Sequence, residues 1–177
     1  GGVAKADLNA ENLEALEKGL PNLMQHVENI TKVYGLPCVV AINRFPMDTE
    51  AELKLIEDKC HEVGVNVALS EVWAKGGEGG EELAKEVIRL CETESDFHYC
   101  YETDTTIEEK LDAIVKKIYH GDGVVLTDAA KKQAKRLTEL GFGNYPICMA
   151  KTQYSFSDNA KLLGAPKNFT VTVRNLK

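Results

Sequence analysis

Pro37-Cys-Val-Val-Ala-Ile-Asn43 is the stretch of sequence that decides the fold. Its uninterrupted apolar character is typical of a strand covered on both faces, as in a parallel sheet. Thr49 and Glu52 then have the spacing of a capping box, which predicts a helix that ends at Gly64. Val65-Asn-Val-Ala-Leu69 follows as a second strand. A strand, a helix of crossover length and a strand predict a βαβ unit with parallel strands.

The pattern continues outward from this unit and predicts an α/β fold, a mostly parallel sheet with flanking helices plus a smaller α/β piece. We expect a first domain over 1–120 and the start of a smaller domain over 121–177. The other predicted helices are two stretches within 11–34 separated at Gly19 and Pro21, then 81–92, a helix through Tyr119 opened by Thr105 and Glu108, and a helix from Thr127 or Asp128 to Leu140. The other predicted strands are 97–101, 124–126, 146–150 and 169–174.

Composition excludes several classes of protein. With 44% hydrophobic and 28% charged residues, the 177-residue chain has the composition of an ordinary soluble globular protein. The net charge of −7 disfavours binding to a nucleic-acid backbone. No apolar run approaches the roughly 18–20 residues of a membrane helix, so no membrane partner is expected. The chain opens without Met and closes on the strand-like stretch 169–174, so we expect it to be a fragment of a longer protein.

The five cysteines and four histidines do not form a metal-binding pattern. No two cysteines have CxxC spacing and the histidines are scattered, so no metal site is predicted. Buried, reduced thiols are the simpler interpretation, and they favour a cytoplasmic protein.

Ligands of open α/β sheets bind beyond the carboxyl ends of the strands, which directs attention to three segments. They are 43–46, 70–80 and 151–155. Phe45 and Trp73 fall in the first two, which should lie side by side. Either the two aromatic side chains hold a planar ring between them, or they anchor their loops to the protein body or to another domain.

The glycine-rich stretch that follows Trp73 is a second candidate. With Arg44 and Lys75, the backbone N–H groups of Gly76 and Gly77 could bind an anion near a helix start. The alternative is a flexible loop whose glycines allow close packing. The polar residues of 151–155 suit substrate contact or a domain interface equally. No nucleophile, base and acid can be combined, so no catalytic residue is predicted.

Three segments resemble formate–tetrahydrofolate ligase (10-formyltetrahydrofolate synthetase) of the bacterial single-function type. They are Val39-Val-Ala-Ile-Asn-Arg-Phe-Pro46, the stretch 68–79 (ALSEVWAKGGEG) and the stretch 140–155 (LGFGNYPICMAKTQYS). The resemblance extends from Gly1 to Arg174. It implies a P-loop-NTPase-like fold whose phosphate-loop domain is missing from this sequence.

The resemblance also implies a function. The family makes formyl phosphate from formate and ATP with Mg²⁺, and passes the formyl group to N10 of tetrahydrofolate. The residues matching Phe45 and Trp73 sandwich the folate ring, and those matching Pro46 and Leu69 line the pocket. A cytoplasmic homotetramer stimulated by a monovalent cation is implied, and the fragment alone is expected to be inactive. The alternatives left open are a clamp for the purine instead of the folate, and a non-catalytic α/β interaction domain whose aromatic residues dock a partner.

Overall fold

The computed structural model describes residues 4, 7, 9–149 and 156–177. The chain divides into two compact units, Gly1–Phe97 and His98–Lys177. This division lies before the expected domain boundary at 120, because the helix Ile107–Lys117 packs with strands of the second unit. The segment 151–155 singled out in the sequence lies outside the described residues.

The first unit is built around a parallel βαβ unit. Strands β1 (Val39–Asn43) and β2 (Asn66–Ser70) are joined by helix α2 (Glu50–Glu62), and their register pairs Val39 with Asn66 and Asn43 with Ser70. The remaining elements are α1 (Leu13–Glu28), a π-helical turn (Asn29–Val33), α3 (Val72–Lys75), a 3₁₀ turn (Gly76–Gly80) and α4 (Glu81–Cys91).

Local signals define α2 as the sequence predicted. The Thr49 hydroxyl accepts the Glu52 N–H at 3.3 Å, and the Glu52 carboxylate accepts the Thr49 N–H at 3.2 Å, which completes the capping box. The inner side of α2 buries Cys60 against Val27, Val40 and Val65. This cluster holds the sheet, α1 and α2 together, and so fixes the strand ends that carry the candidate site.

One helix replaces the two predicted at the N-terminal end of this unit. Helix α1 continues through Pro21 and passes into the π-helical turn. A proline in a helix removes the hydrogen bond to the carbonyl four residues earlier, here that of Glu17. Glu17 is exposed, so water can bind this carbonyl, and burial of Leu20 and Val27 on either side of Pro21 keeps the helix continuous.

The second unit repeats the parallel arrangement with shorter strands. Its elements are α5 (Ile107–Lys117), β3 (Gly123–Leu126), α6 (Asp128–Glu139) and β4 (Thr170–Val173). Strands β3 and β4 pair in parallel, with Gly123 opposite Thr170. The capping box of α5 uses Thr106 and Glu109, one position after the predicted pair, so that Ile107 and Leu111 turn into the core. The mixed helix and parallel-strand class predicted from the sequence is therefore confirmed.

The predicted strands at 146–150 and 97–101 are wrong for the described residues, since neither 146–149 nor 97–101 joins a ladder. Side chains take the place of a neighbouring strand. The buried Lys110 ammonium donates to the carbonyls of Gly143 (2.6 Å) and Tyr145 (3.2 Å). The Tyr101 hydroxyl accepts the Ile147 N–H at 2.8 Å. The bond to Tyr101 satisfies a backbone N–H inside the predicted run, and the Lys110 bonds hold the backbone just before it.

Among the described residues, no helix is both long enough and apolar enough to cross a membrane.

Candidate functional site

The candidate site lies where β1 and β2 end, at the same edge of the parallel pair. Asn43 and Ser70 are opposite each other in the register, and the ladder is extended by the Arg44 N–H, which donates to the Ser70 carbonyl at 3.0 Å. Phe45 comes two residues after Asn43, and Trp73 comes three residues after Ser70. The fold therefore brings the two segments to neighbouring positions, as the sequence predicted.

The turn that carries Phe45 is closed by Asp48. The Asp48 carboxylate accepts the Phe45 N–H at 2.7 Å, and the Phe45 carbonyl accepts the Asp48 N–H at 3.1 Å. Asp48 thereby closes the turn around Pro46. The Phe45 side chain is left 57% exposed.

Trp73 sits on α3, a single helical turn, instead of in a loop. It is 75% exposed, more than most tryptophan side chains in folded proteins. Since both aromatic side chains are largely exposed, neither anchors its segment to the core of its own unit. Leu69, the last residue but one of β2, is half-buried.

The predicted anion-binding groups already have partners. Arg44 is 2.7 Å from Glu50 and 3.9 Å from Glu71, and Lys75 is 2.5 Å from Glu71. Two cations and two carboxylates leave this cluster without net charge. Both predicted cations are therefore already paired with carboxylates in the folded chain.

The glycine-rich stretch forms a 3₁₀ turn that leads directly into α4. Gly76 has φ +61°, a conformation that favours glycine. Gly77 has open space around it. Three carboxylates, those of Glu78, Glu81 and Glu82, stand in the turn and the first turn of α4 and would oppose a bound anion.

Glu71 has no predicted role in the sequence, but the structure places its carboxylate between Arg44 and Lys75. The Lys75 hydrogen bond, partly opposed by desolvation, lowers the pKa of Glu71, and the Arg44 charge lowers it further. The carboxylate is therefore ionised at neutral pH. The spacing of Glu71 and Lys75 on successive helical turns was the signal that could have predicted this pair.

A cavity of about 690 Å³ borders the cluster, and its walls include Leu69, Glu71, Lys75 and Glu78. Its volume is within the range of small-molecule pockets. Among the described residues no group of three or more His, Cys, Asp and Glu side chains could hold a metal ion.

Comparison with known proteins shows the family to which the chain belongs. The family model of formate–tetrahydrofolate ligase matches residues 1–177, the whole chain. The chain belongs to the formate–tetrahydrofolate ligase family. The ligase family implies an ATP-dependent joining of formate to tetrahydrofolate, with small-molecule substrates. The resemblance inferred from the sequence is thus confirmed at the level of family.

Proposed function

We propose that this chain supplies the tetrahydrofolate-binding part of the ligase. Phe45 and Trp73 form the two sides of a clamp for the pterin ring, and Pro46 and Leu69 line its base. The observation that carries the proposal is the pair of aromatic side chains, 57% and 75% exposed, within three residues after the ends of two neighbouring strands of one βαβ unit. Exposed aromatic surface of this size is costly in water, and stacking on a planar heterocycle buries it.

In the proposed reaction, a formate oxygen attacks the γ-phosphorus of ATP and ADP leaves. N10 of tetrahydrofolate then attacks the formyl carbon of formyl phosphate, inorganic phosphate leaves and N10 loses its proton. The residues of this chain bind and orient the acceptor, so their contribution is proximity. No residue of this chain is proposed to bind ATP or Mg²⁺. Four properties stay predictions from the family resemblance: a P-loop-NTPase-like fold, assembly as a homotetramer, stimulation by a monovalent cation and a cytoplasmic location.

The test uses the intrinsic fluorescence of Trp73, the single tryptophan of the chain. Folic acid is titrated into the 177-residue protein, with inner-filter correction, and ATP is titrated separately. We expect saturable quenching by folic acid and none by ATP. Quenching by ATP alone would mean that the clamp holds the purine, and no response to either would contradict a ring-binding clamp in this chain.

Phe45→Ala keeps the fluorescent reporter and removes one side of the clamp. We expect the Kd for folic acid to rise about 5–150-fold, the equivalent of roughly 1–3 kcal/mol for one ring stacked on a base. Met47→Ala is the matched control, because Met47 is equally exposed at 58% in the same turn. It should leave the Kd unchanged, and an equal loss in both variants would contradict a specific role for Phe45.

A further inference from the structure

Three parts of the candidate site meet at Glu71: the segment after β1, helix α3 and the 3₁₀ turn. The residue is only partly accessible, with 27% of its side chain exposed. It neither belongs to the aromatic pair nor follows from the family resemblance. Its contacts therefore need an explanation of their own.

The backbone of Glu71 is held from both directions. Its N–H donates to the Gly79 carbonyl at 2.9 Å, and its carbonyl accepts the N–H groups of Ala74 (3.0 Å) and Lys75 (2.9 Å). The bonds to Ala74 and Lys75 close the turn of α3 around Trp73. The bond to Gly79 fixes that turn against the 3₁₀ segment.

The side chain of Glu71 connects this turn to the other half of the clamp. One carboxylate oxygen accepts the Lys75 ammonium at 2.5 Å, and the other is 3.9 Å from the Arg44 guanidinium. Arg44 is itself fixed by its N–H bond to Ser70 and by Glu50. Since Arg44 directly precedes Phe45, the carboxylate ties the segment carrying Phe45 to the helix carrying Trp73.

We propose that Glu71 is a positioning residue that sets the place of Trp73 relative to Phe45, and with it the width of the gap between the rings. It acts through Lys75, Arg44 and the α3 turn. The effect on ligand affinity rests on the proposed function, whereas the effect on Trp73 itself does not. Burial does not restrain the positions of exposed side chains on a short segment, so hydrogen bonds and ion pairs have to hold the segment in place.

Glu71→Gln tests the proposal, because glutamine keeps the side-chain length and removes the charge. In the ligand-free chain we expect a lower steady-state anisotropy of Trp73 at an unchanged thermal midpoint. The Kd for folic acid should rise about 3–10-fold, as suits the loss of a partly exposed charged hydrogen bond. The control is Glu14→Gln on α1, which removes another i,i+4 pair, Glu14 with Lys18, of the same 2.5 Å length. It should change neither quantity.

Lys75→Gln is a second variant, which removes the ammonium that binds the Glu71 carboxylate and leaves Glu71 itself in place. It should lower the Trp73 anisotropy in the same direction even if Glu71→Gln does not fold. Wild-type anisotropy and Kd in folded Glu71→Gln would overturn the positioning role. If Phe45→Ala weakens folic acid while Glu71→Gln does not, this inference alone fails. If Phe45→Ala is also without effect, the proposed function fails.

Discussion

Gly79→Ala is expected to damage the candidate site without touching any proposed ligand contact. A Cβ atom at position 79 would lie 2.5 Å from both the carbonyl carbon and the carbonyl oxygen of Glu71. Ordinary van der Waals contact begins at 3.4 Å, so about 0.9 Å must be gained between two backbone segments. Neither segment can yield as the end of a flexible side chain would.

The magnitude follows from two contributions. Forcing an extra methyl group into a packed position costs about 1–3 kcal/mol. The same displacement breaks the bond from the Glu71 N–H to the Gly79 carbonyl, which contributes about 0.5–1.5 kcal/mol. We expect the free energy of unfolding of the first unit to fall by roughly 1.5–4.5 kcal/mol.

The assay is urea denaturation, followed by Trp73 fluorescence for the first unit and by far-ultraviolet circular dichroism. With a slope of about 1–3 kcal/mol per molar urea, the midpoint should fall by on the order of 1 M. Gly77→Ala is the matched control, since Gly77 lies two residues away with nothing within 4 Å of an added Cβ. It should be neutral or stabilising by up to about 1 kcal/mol. Equal midpoints for the two alanine variants would refute the close approach of Gly79 to Glu71.

Three further predictions concern the scaffold. Thr106→Ala removes the hydroxyl that caps α5 and should lower the unfolding free energy of the second unit by about 1 kcal/mol in chemical denaturation. Lys110→Met leaves two carbonyls without their donor and should cost about 1–3 kcal/mol in the same experiment, whereas an unchanged midpoint would show that the bonds contribute nothing. Hydrogen bonds from Arg89 and Asn66 lower the pKa of Glu86 to about 2, below its ordinary 4.5. The stabilisation from Glu86 is therefore full above pH 4.5 and is lost as the pH falls through about 2, so Glu86→Gln should make acid unfolding less steep in that window.

Short-range patterns in the sequence account for the βαβ unit. The capping box of Thr49 and Glu52 and the apolar runs on either side of α2 act over a few residues, so they can be read without a structure. The same holds for the position of Phe45 and Trp73 after neighbouring strands. The shift from Thr105 to Thr106 at the start of α5 is a different case, because both threonines have an acidic residue three positions later. Burial of Ile107 and Leu111 selects one of the two registers.

Long-range contacts decided what the sequence could not. The stretch 146–149 has the composition of a strand, but its Ile147 N–H donates to the hydroxyl of Tyr101, 46 residues away. Lys110, 33 and 35 residues from its acceptors, binds the carbonyls of Gly143 and Tyr145 just before this stretch. Likewise, no partner for Arg44 or Lys75 was predicted from the sequence. In the folded chain, Glu50 forms an ion pair with Arg44 and Glu71 forms one with Lys75. The amino-acid sequence by itself determined the family, the parallel βαβ unit and the pair of candidate aromatic residues. The tertiary structure decided which polar groups are already paired, because hydrogen-bond and charge partners are chosen by proximity in space, which local sequence patterns do not encode.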